Sequence, residues 1–401
     1  MKRVVVRTAI RAFTAMLSAV SAAAARFRRN KKPFPENGLH IVLTGTFYSD
    51  NWLETHLRPM GESRLIRLVT MVAAVPVPAM PGVEAVYPHP RLARMLGQTT
   101  ARLITFTLVA VRRKPDIVGG FHLLINGLVA LLVARTNGCR SMYICGGGTR
   151  EIEGGGYATE NQIFRRLGAP SPYVERKLLA AALAFDYLVT MGESVRQYFL
   201  ERGASGQVVV VPGGFDADLF CPAAAPPVYD LILVGRTSPV KRIDILIEAL
   251  KKLEDMDIRT VVVGDGPSRA ELQSLAEDLG VGSRIDFVGW QSDVHSWLRK
   301  SRIFVLTSES EGLSQAMVQA MLCGLPVVVT DVGDLKDLVA DGSNGFLVTP
   351  GCVDECAGRI SQLCRDDRLR QTLGAQARSD ALRLSMANVS ALWDRILSGQ
   401  R

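Results

Sequence analysis

The sequence has few histidines and contains no CxxC pair of cysteines. Its seven cysteines are an odd number and are scattered, and no histidine accompanies them at zinc-ligand spacing. This distribution argues against a zinc site and is typical of reduced thiols in a reducing compartment. No G-x-G-x-x-G segment opens a helix after a strand, which argues against a nucleotide-cofactor dehydrogenase.

Acidic residues are absent from the first 32 positions, which hold nine lysines and arginines. The whole chain has a net charge of +8, but the residues after position 32 carry 38 basic and 39 acidic side chains. The basic character is therefore an N-terminal feature, and the near-neutral body argues against a nucleic-acid partner.

The basic N-terminal segment, residues 1–32, also has an apolar stripe at helical spacing. The stripe is formed by Val6, Ile10, Phe13, Leu17 and Val20. A basic amphipathic helix of this kind is typical of a membrane interface, and its apolar run is too short to span a bilayer. We expect residues 1–32 to bind an anionic membrane surface from the cytoplasmic side. A disordered start and a secretory signal peptide are the alternatives.

The body of the chain predicts two α/β domains, because apolar strands alternate with helical stretches and 401 residues suffice for two cores. A first domain is predicted over 38–221, a Pro/Ala-rich linker over 222–229, and a second domain over 230–383. The predicted strands of the first domain are 39–43, 115–118, 141–144, 187–190 and 208–211. A strongly apolar helix is predicted from Leu123 to Ala134.

Three strands of the second half each lead into a loop with polar or glycine residues. Leu231–Val234 precedes Gly235, Arg236 and Lys241; Val261–Val263 precedes Gly264 and Gly266; Ile303–Leu306 precedes Glu311. Open parallel sheets bind ligands at the carboxyl ends of their strands. Arg236 can fork onto two phosphate oxygens, Lys241 can act as a point charge, and the start of the next helix adds partial positive charge. These loops suit a sugar nucleotide, although ordinary surface cations would look similar.

Together with the segment from Gln319 to Pro326, these motifs resemble the nucleotide-sugar half of family 4 glycosyltransferases, which are retaining enzymes of the GT-B type. The resemblance is strong from about Val208 to Val348. It implies two Rossmann-like doubly wound domains facing across a cleft, with a terminal helix (384–401) packing back. It also implies a nucleoside-diphosphate sugar as co-substrate.

The resemblance implies roles for individual residues. Arg236 and Lys241 would grip the diphosphate, Glu311 would lie by the donor sugar, and Gln319 would hold the ribose where the family has a glutamate. A glutamine can still accept from a hydroxyl, but without charge the donor affinity falls by about 1 kcal/mol. Further substrate-binding positions are expected in the surrounding loops: Gly235, Gly264, Gly266, Gly289, Trp290, Gly312, Leu313 and Ser314.

The first half offers weaker candidates. Gly45 and Thr46 follow the first strand, where a glycine would let the backbone approach a diphosphate. His122 lies near a position where relatives carry a histidine facing the reaction centre, and a structural histidine is the alternative. The glycine-rich loop from Gly146 to Tyr157 is either an acceptor loop or a flexible surface excursion.

No Asp or Glu of the first half has the pattern of a dedicated nucleophile. Two Asp-x-Asp triplets, at Asp216 and Asp255, could hold a cation, but a turn and a solvated helix end explain them better. We therefore expect transfer without a metal or other cofactor. The predicted enzyme is a cytoplasmic, membrane-associated glycosyltransferase acting on a saccharide or lipid-linked saccharide in surface polysaccharide or glycolipid synthesis. The alternatives are a sugar-nucleotide epimerase and a catalytically degenerate binding subunit.

Overall fold

The structure is a computed structural model that describes residues 34–46, 49–156, 170–222 and 226–399, together with 12, 15, 16, 18–20 and 22. The chain divides into two compact units. The first unit comprises Met1–Gly214 and Val389–Arg401, and the second unit comprises Phe215–Asn388. The predicted linker, 222–229, falls within the second unit in this division, and its residues 223–225 lie outside the described residues.

A seven-stranded parallel sheet forms the centre of the first unit. Its spatial order is β3-β2-β1-β4-β5-β6-β7. The strands are β1 Leu39–Thr44, β2 Ile66–Val72, β3 Val83–Val86, β4 Ile117–Phe121, β5 Arg140–Cys145, β6 Tyr187–Thr190 and β7 Gln207–Val210. The helices are α1 Asp50–Gly61, α2 Pro90–Leu96, α3 Gln98–Arg113, α4 Leu128–Asn137, α5 Pro172–Ala182 and α6 Glu193–Glu201.

Burial on both faces explains why β1 is apolar without interruption. Ile41 and Leu43 pack into one hydrophobic cluster with Leu53 of α1, whereas Val42 packs into another with Phe106 of α3. A strand covered by helices on both faces is expected in a parallel sheet.

The second unit repeats this architecture with a six-stranded parallel sheet. Its spatial order is β10-β9-β8-β11-β12-β13. The strands are β8 Tyr229–Val234, β9 Thr260–Val263, β10 Ile285–Gly289, β11 Ser301–Leu306, β12 Val327–Thr330 and β13 Gly345–Val348. The helices are α7 Ile243–Lys252, α8 Arg269–Asp278, α9 Val294–Arg299, α10 Gln315–Leu322, α11 Val353–Arg365 and α12 Asp367–Ala381. The predicted pair of doubly wound α/β domains is confirmed.

The last helix, α13 (Met386–Ser398), begins two residues after the predicted Leu384. From Val389 onward its residues belong to the first unit, where Val389 and Trp393 are buried in the same cluster as Ile41. Asp394 fixes its position further, accepting hydrogen bonds from Ser63 Oγ at 2.5 Å and from the Leu65 amide at 3.2 Å.

Several local expectations for the first unit are wrong. The segment between Thr46 and Pro115 contains two strands that were not predicted, β2 and β3, as well as three helices. The strand predicted over 115–118 is β4, which runs from Ile117 to Phe121 and ends directly before His122. The helix predicted over Leu123–Ala134 begins only at Leu128, because residues 123–127 form a kinked turn with Ile125 at φ 49°.

Most of the predicted N-terminal helix lies outside the described residues. Of its apolar stripe, Val20 is described, and it is buried in a cluster with Leu131 and Phe199 of the first unit. Among the helices that the structure describes, none has the length and apolarity needed to cross a bilayer.

Candidate functional site

The strand order of the second unit places a topological switch point between β8 and β11. The chain continues from β8 to β9 on one side, and from β11 to β12 on the other. The loops that follow β8 and β11, residues 235–242 and 307–314, therefore diverge from one edge of the sheet. In open α/β sheets this is where ligands bind.

Lys241 and Glu311, which are 70 positions apart, meet at this switch point. Lys241 Nζ lies 2.5 Å from Glu311 Oε1, and the two side chains are 20% and 11% exposed. Ser308 Oγ donates to the same carboxylate oxygen at 2.6 Å. The Glu309 amide also donates to the Val240 carbonyl at 2.8 Å, so backbone and side chains both join the two loops. The result is a half-buried ion pair with its cation and anion on different loops.

The segment Gly264–Pro267 supports the loop that carries Arg236. Gly264 has φ 138°, and a Cβ there would lie 1.9 Å from the Gly235 carbonyl oxygen; a Cβ at Gly266 would lie 2.4 Å from that of Thr237. The Thr237 amide in turn donates to the Asp265 carbonyl at 3.1 Å. Both glycines are needed because the two loops pack backbone to backbone. Their predicted contact with substrate stays a prediction.

Gly333 makes a comparable contact with the other loop, which the sequence did not indicate. It has φ 57°, and a Cβ there would lie 1.9 Å from the carbonyl oxygen of Glu311. The turn after β12 therefore fixes the backbone that carries the Glu311 carboxylate. In the sequence, the segment from Asp331 to Asp334 resembles a family loop that often has two glycines, but nothing in it indicates the contact with Glu311.

The remaining candidates of the second unit occupy different settings. Arg236 is exposed on the loop after β8. Trp290 follows Gly289 at the end of β10 and is 71% exposed. Gln319 lies on α10 and is 3% exposed. The three residues that precede Gln315 at the start of α10 are Gly312, Leu313 and Ser314, and Ser314 Oγ caps the helix by accepting from the Met317 amide at 3.4 Å.

In the first unit the corresponding switch point lies between β1 and β4. Gly45 and Thr46 follow β1, and His122 follows β4. His122 has φ 62°, which is rare for a residue with a side chain and is found disproportionately at functional sites. Its amide donates to the Ile144 carbonyl at 3.0 Å, which holds it against the end of β5.

A buried carboxylate that sequence reasoning missed lies beside His122. Glu151 is 5% exposed, and its Oε1 lies 2.9 Å from Nδ1 of the His122 imidazole. Burial alone would lower the pKa of His122, but the charge and hydrogen bond of Glu151 outweigh it and raise that pKa above its ordinary 6.5. Burial would raise the pKa of Glu151, and the opposing effect of His122 and two backbone amides lowers it.

Of the glycine-rich loop from Gly146 to Tyr157, the structure describes residues 146–156. A flexible surface excursion does not fit residues 146–156, because Glu151 and Ile152 are buried and Gly155 packs against Val174. Tyr157 and the residues up to 169 are not among those described.

Arg102 is a second buried charge that the sequence did not indicate. It is 2% exposed and donates to Thr44 Oγ1 and, at 2.8 Å, to Asn126 Oδ1. Burial lowers its pKa to about 10. Arg102 thereby ties the end of β1 to the kinked turn after His122.

The two Asp-x-Asp triplets have other roles in the described part of the chain. Asp216 Oδ1 accepts hydrogen bonds from the amides of Asp218 and Leu219 at 3.1 and 3.0 Å, and these bonds stabilise a turn. Asp255 forms an exposed ion pair with Arg365. Within the described ranges no cluster of three or more His, Cys, Asp or Glu side chains could hold a metal ion.

Comparison with known proteins agrees with this arrangement. Residues 223–380 match the family model described as Glycosyl transferases group 1. N-acetyl-alpha-D-glucosaminyl L-malate synthase of Bacillus anthracis is 31% identical over 149 residues, 37% of this chain and 39% of that protein. The lipopolysaccharide core biosynthesis glycosyltransferase LpsE of Rhizobium meliloti is 36% identical over 169 residues, 42% of this chain and 47% of LpsE.

The structural likeness extends over more of the chain. The Anabaena protein Alr3699/HepE, solved in complex with UDP-glucose, superposes with a TM-score of 0.69 at 21% identity, covering 90% of this chain and all of HepE. This shows that the chain has the two-domain α/β fold of that protein. The sequence matches to these curated relatives span less than half of their length.

Proposed function

We propose that this protein is a glycosyltransferase that moves a sugar from a nucleoside-diphosphate sugar to a saccharide or lipid-linked saccharide. The observation that carries the proposal is the Lys241–Glu311 pair at the switch point, on loops that also hold Arg236. The leaving diphosphate gains negative charge during transfer, and preorganised cations stabilise that charge. The printed names of the relatives, including a lipopolysaccharide core glycosyltransferase, support surface polysaccharide or glycolipid synthesis as the context.

In the proposed mechanism the cations of the loop after β8 act on the diphosphate. Arg236 binds its oxygens as a planar fork and Lys241 as a point charge. The Glu311 carboxylate is already fixed by Lys241 and Ser308, so it can accept from sugar hydroxyls without reorganisation. The resemblance to family 4 supports retention of the anomeric configuration, with the leaving phosphate assisting deprotonation of the incoming hydroxyl.

The first test is thermal unfolding of the full chain with UDP-, GDP- and ADP-sugars. A donor at 100 times its dissociation constant stabilises by about 2.7 kcal/mol. We expect one nucleotide to shift the transition, and Arg236→Ala and Glu311→Ala to abolish the shift. Arg365→Ala and Glu254→Ala are matched controls, because both residues form exposed ion pairs elsewhere.

Turnover then separates the alternatives. Release of nucleoside diphosphate and a product whose anomeric proton matches the donor would support a retaining transferase, and Arg236→Ala should lower turnover by ~10²–10³. An epimerised sugar nucleotide would support the epimerase. A shift without turnover would support the degenerate binding subunit.

We also propose that the reaction needs no metal or other cofactor. The Asp216 carboxylate is committed to its turn, which supports this view. Turnover should be unchanged by EDTA, and a loss that Mg²⁺ or Mn²⁺ restores would contradict it.

Membrane association is a further part of the proposal and has support beyond residues 1–32. Between Ala85 and Pro115 the chain has no acid and six cations, of which all but the buried Arg102 are exposed. Large apolar side chains of this stretch are 45–79% exposed: Tyr87, Met95, Leu96, Leu108 and Val111. Exposed cations with apolar neighbours suit the cytoplasmic face of an anionic membrane.

Sedimentation with vesicles tests this association. Binding should require anionic lipid, and Arg94→Gln with Lys114→Gln should weaken it about 30-fold, since each cation contributes about 1 kcal/mol. Lys252→Gln with Arg365→Gln, which changes two exposed cations of the second unit, is the control. Equal binding to zwitterionic vesicles would contradict the electrostatic account.

A further inference from the structure

Glu151 uses all of its hydrogen-bonding capacity inside the first unit. Its Oε1 contacts His122 Nδ1 at 2.9 Å and the Gly147 amide at 2.6 Å, while Oε2 contacts the Leu123 amide at 2.6 Å and Tyr143 Oη at 2.9 Å. A carboxylate has about four lone-pair sites, so each is satisfied. A protonated acid would have to donate to one of these partners, and both amides can only donate. Only His122 Nδ1 and Tyr143 Oη could accept from a protonated Glu151, and either would then stop donating to it. The four converging donors therefore favour an ionised Glu151, in agreement with its lowered pKa.

The ionised carboxylate decides which imidazole nitrogen carries the proton. Because Glu151 can only accept, Nδ1 of His122 must be the donor, and in the neutral ring Nε2 then has the free lone pair. Tyr143 does not compete for the negative charge, since burial raises the pKa of its hydroxyl well above the ordinary value of 10 and it keeps its proton.

The ring of His122 is held on other sides as well. Trp52 of α1 stacks on it with centroids 6.2 Å apart and planes 21° apart. Gly146 lies against its edge, because a Cβ at that position would be 3.1 Å from the imidazole Cε1 and 3.3 Å from Trp52 Cζ2. The ring is thus fixed in position while 31% of the side chain stays exposed.

We propose that Glu151 is a positioning residue for the glycosyl transfer proposed above, which holds His122 as the Nδ1–H tautomer and presents Nε2 to an oxygen of the bound substrates. In its neutral form Nε2 accepts from a sugar hydroxyl; in its protonated form it donates to a hydroxyl or phosphate oxygen. The loop from Gly146 to Gly156 thereby gains a role in orienting a side chain at the switch point between β1 and β4.

The inference is tested by ¹⁵N NMR of the full chain labelled at histidine, which contains five histidines. The signals of His122 are identified by their loss in His122→Gln. In the wild-type protein we expect a protonated Nδ1 at all pH values and an Nε2 that titrates above pH 6.5. An Nε2–H tautomer would overturn the inference, and this result needs no Glu151 variant to fold.

Glu151→Gln and Glu153→Gln form a matched pair two residues apart, since Glu153 is exposed and bonds Thr149. The titratable groups that act on the ring are Glu151 and His56 of α1, and behind Glu151 lie Tyr143 and Cys145 of β5. In Glu151→Gln burial acts without its counter-charge, so the pKa of His122 should fall below 6.5 and the tautomers should mix. An unchanged titration would contradict the proposal, and Glu153→Gln should resemble the wild type.

Kinetics connect this arrangement to transfer, using the donor that the nucleotide panel selects. We expect Glu151→Gln and His122→Gln each to lower kcat by about 10–100-fold with little change in KM, and the double variant to be no slower than His122→Gln. A loss in Glu151→Gln that is absent in His122→Gln would overturn the positioning role. If no donor is turned over, the proposed function fails, whereas the tautomer and the titration still decide whether Glu151 orients His122.

Discussion

Replacing Gly333 by alanine should displace the backbone of Glu311 and so disrupt the candidate donor site. A Cβ at this position would lie 1.9 Å from the carbonyl oxygen of Glu311, so one backbone must move by about 1.5 Å to restore a normal contact. The Glu311 carboxylate would move with it and leave Lys241, which is 2.5 Å away. A misplacement of about 1 Å can cost ~10² in rate.

Gly342→Ala is the matched control. Gly342 also has a positive φ, 72° against 57° for Gly333, but a Cβ there would meet nothing within 4 Å. The free energy of unfolding of both variants should therefore fall by about 1–2 kcal/mol, because alanine is strained in the left-handed backbone conformation. Gly333→Ala alone adds an overlap worth about 1–3 kcal/mol.

The measurements are the free energy of unfolding in denaturant, the shift with the selected nucleotide sugar, and turnover. We expect Gly333→Ala to be less stable than Gly342→Ala, to lose most of the nucleotide shift and to fall ~10²-fold in turnover. Equal stability of the two variants, together with an intact nucleotide shift in Gly333→Ala, would refute the reasoning.

Three further predictions concern single side chains. Lys241→Met leaves the Glu311 carboxylate without its cation and should lower the free energy of unfolding by about 1–3 kcal/mol. Lys251→Met, which removes a cation from an exposed pair, should change the free energy of unfolding by less than about 0.5 kcal/mol. Equal losses of the two variants in denaturant titrations would contradict this prediction. Burial, with the charge of His122 adding to it, lowers the pKa of His56 to about 3. Below pH 6.5 the unfolded chain therefore binds a proton that the folded chain does not, and the free energy of unfolding should fall by about 1.4 kcal/mol per pH unit from pH 6.5 to 5. An equally steep fall in His56→Gln would count against this assignment. The pKa of His122 is raised, so its contribution is complete below pH 6.5 and is lost only as the pH rises through the folded value, outside this window. Gln319→Glu should destabilise the free protein because the side chain is buried, yet enlarge the shift with the selected nucleotide sugar by about 1 kcal/mol; an unchanged shift would contradict a ribose contact.

Local patterns were sufficient for much of the second unit. Val261–Val263 and Ile303–Leu306 lie within β9 and β11, because short apolar runs between glycine-rich turns leave few alternatives. Parallel strands also deliver their loops to one edge, so Lys241 and Glu311 could be grouped from sequence alone. Their 2.5 Å contact depends on β8 and β11 being neighbours, which no local pattern specifies.

The first unit was harder to predict because its important contacts join residues that are far apart in the sequence. The strand predicted over 115–118 stops four residues before His122, whereas β4 runs through Gly119 and Gly120 to Phe121, directly before it. Glycine disfavours strands, but here a Cβ at either position would come within 3 Å of neighbouring atoms. Tertiary packing overrides the local preference.

The sequence by itself determined the two doubly wound halves, the strand-to-loop motifs of the second half and the concentration of positive charge near the start of the chain. These are properties of periodicity and composition, which act over a few residues. Only the tertiary structure decided that Gly333 supports Glu311 and that Glu151 turns inward to His122. A carboxylate in a glycine-rich loop looks like a surface residue until donors from the end of β4, from β5 and from its own loop converge on it, and such convergence is a property of the fold.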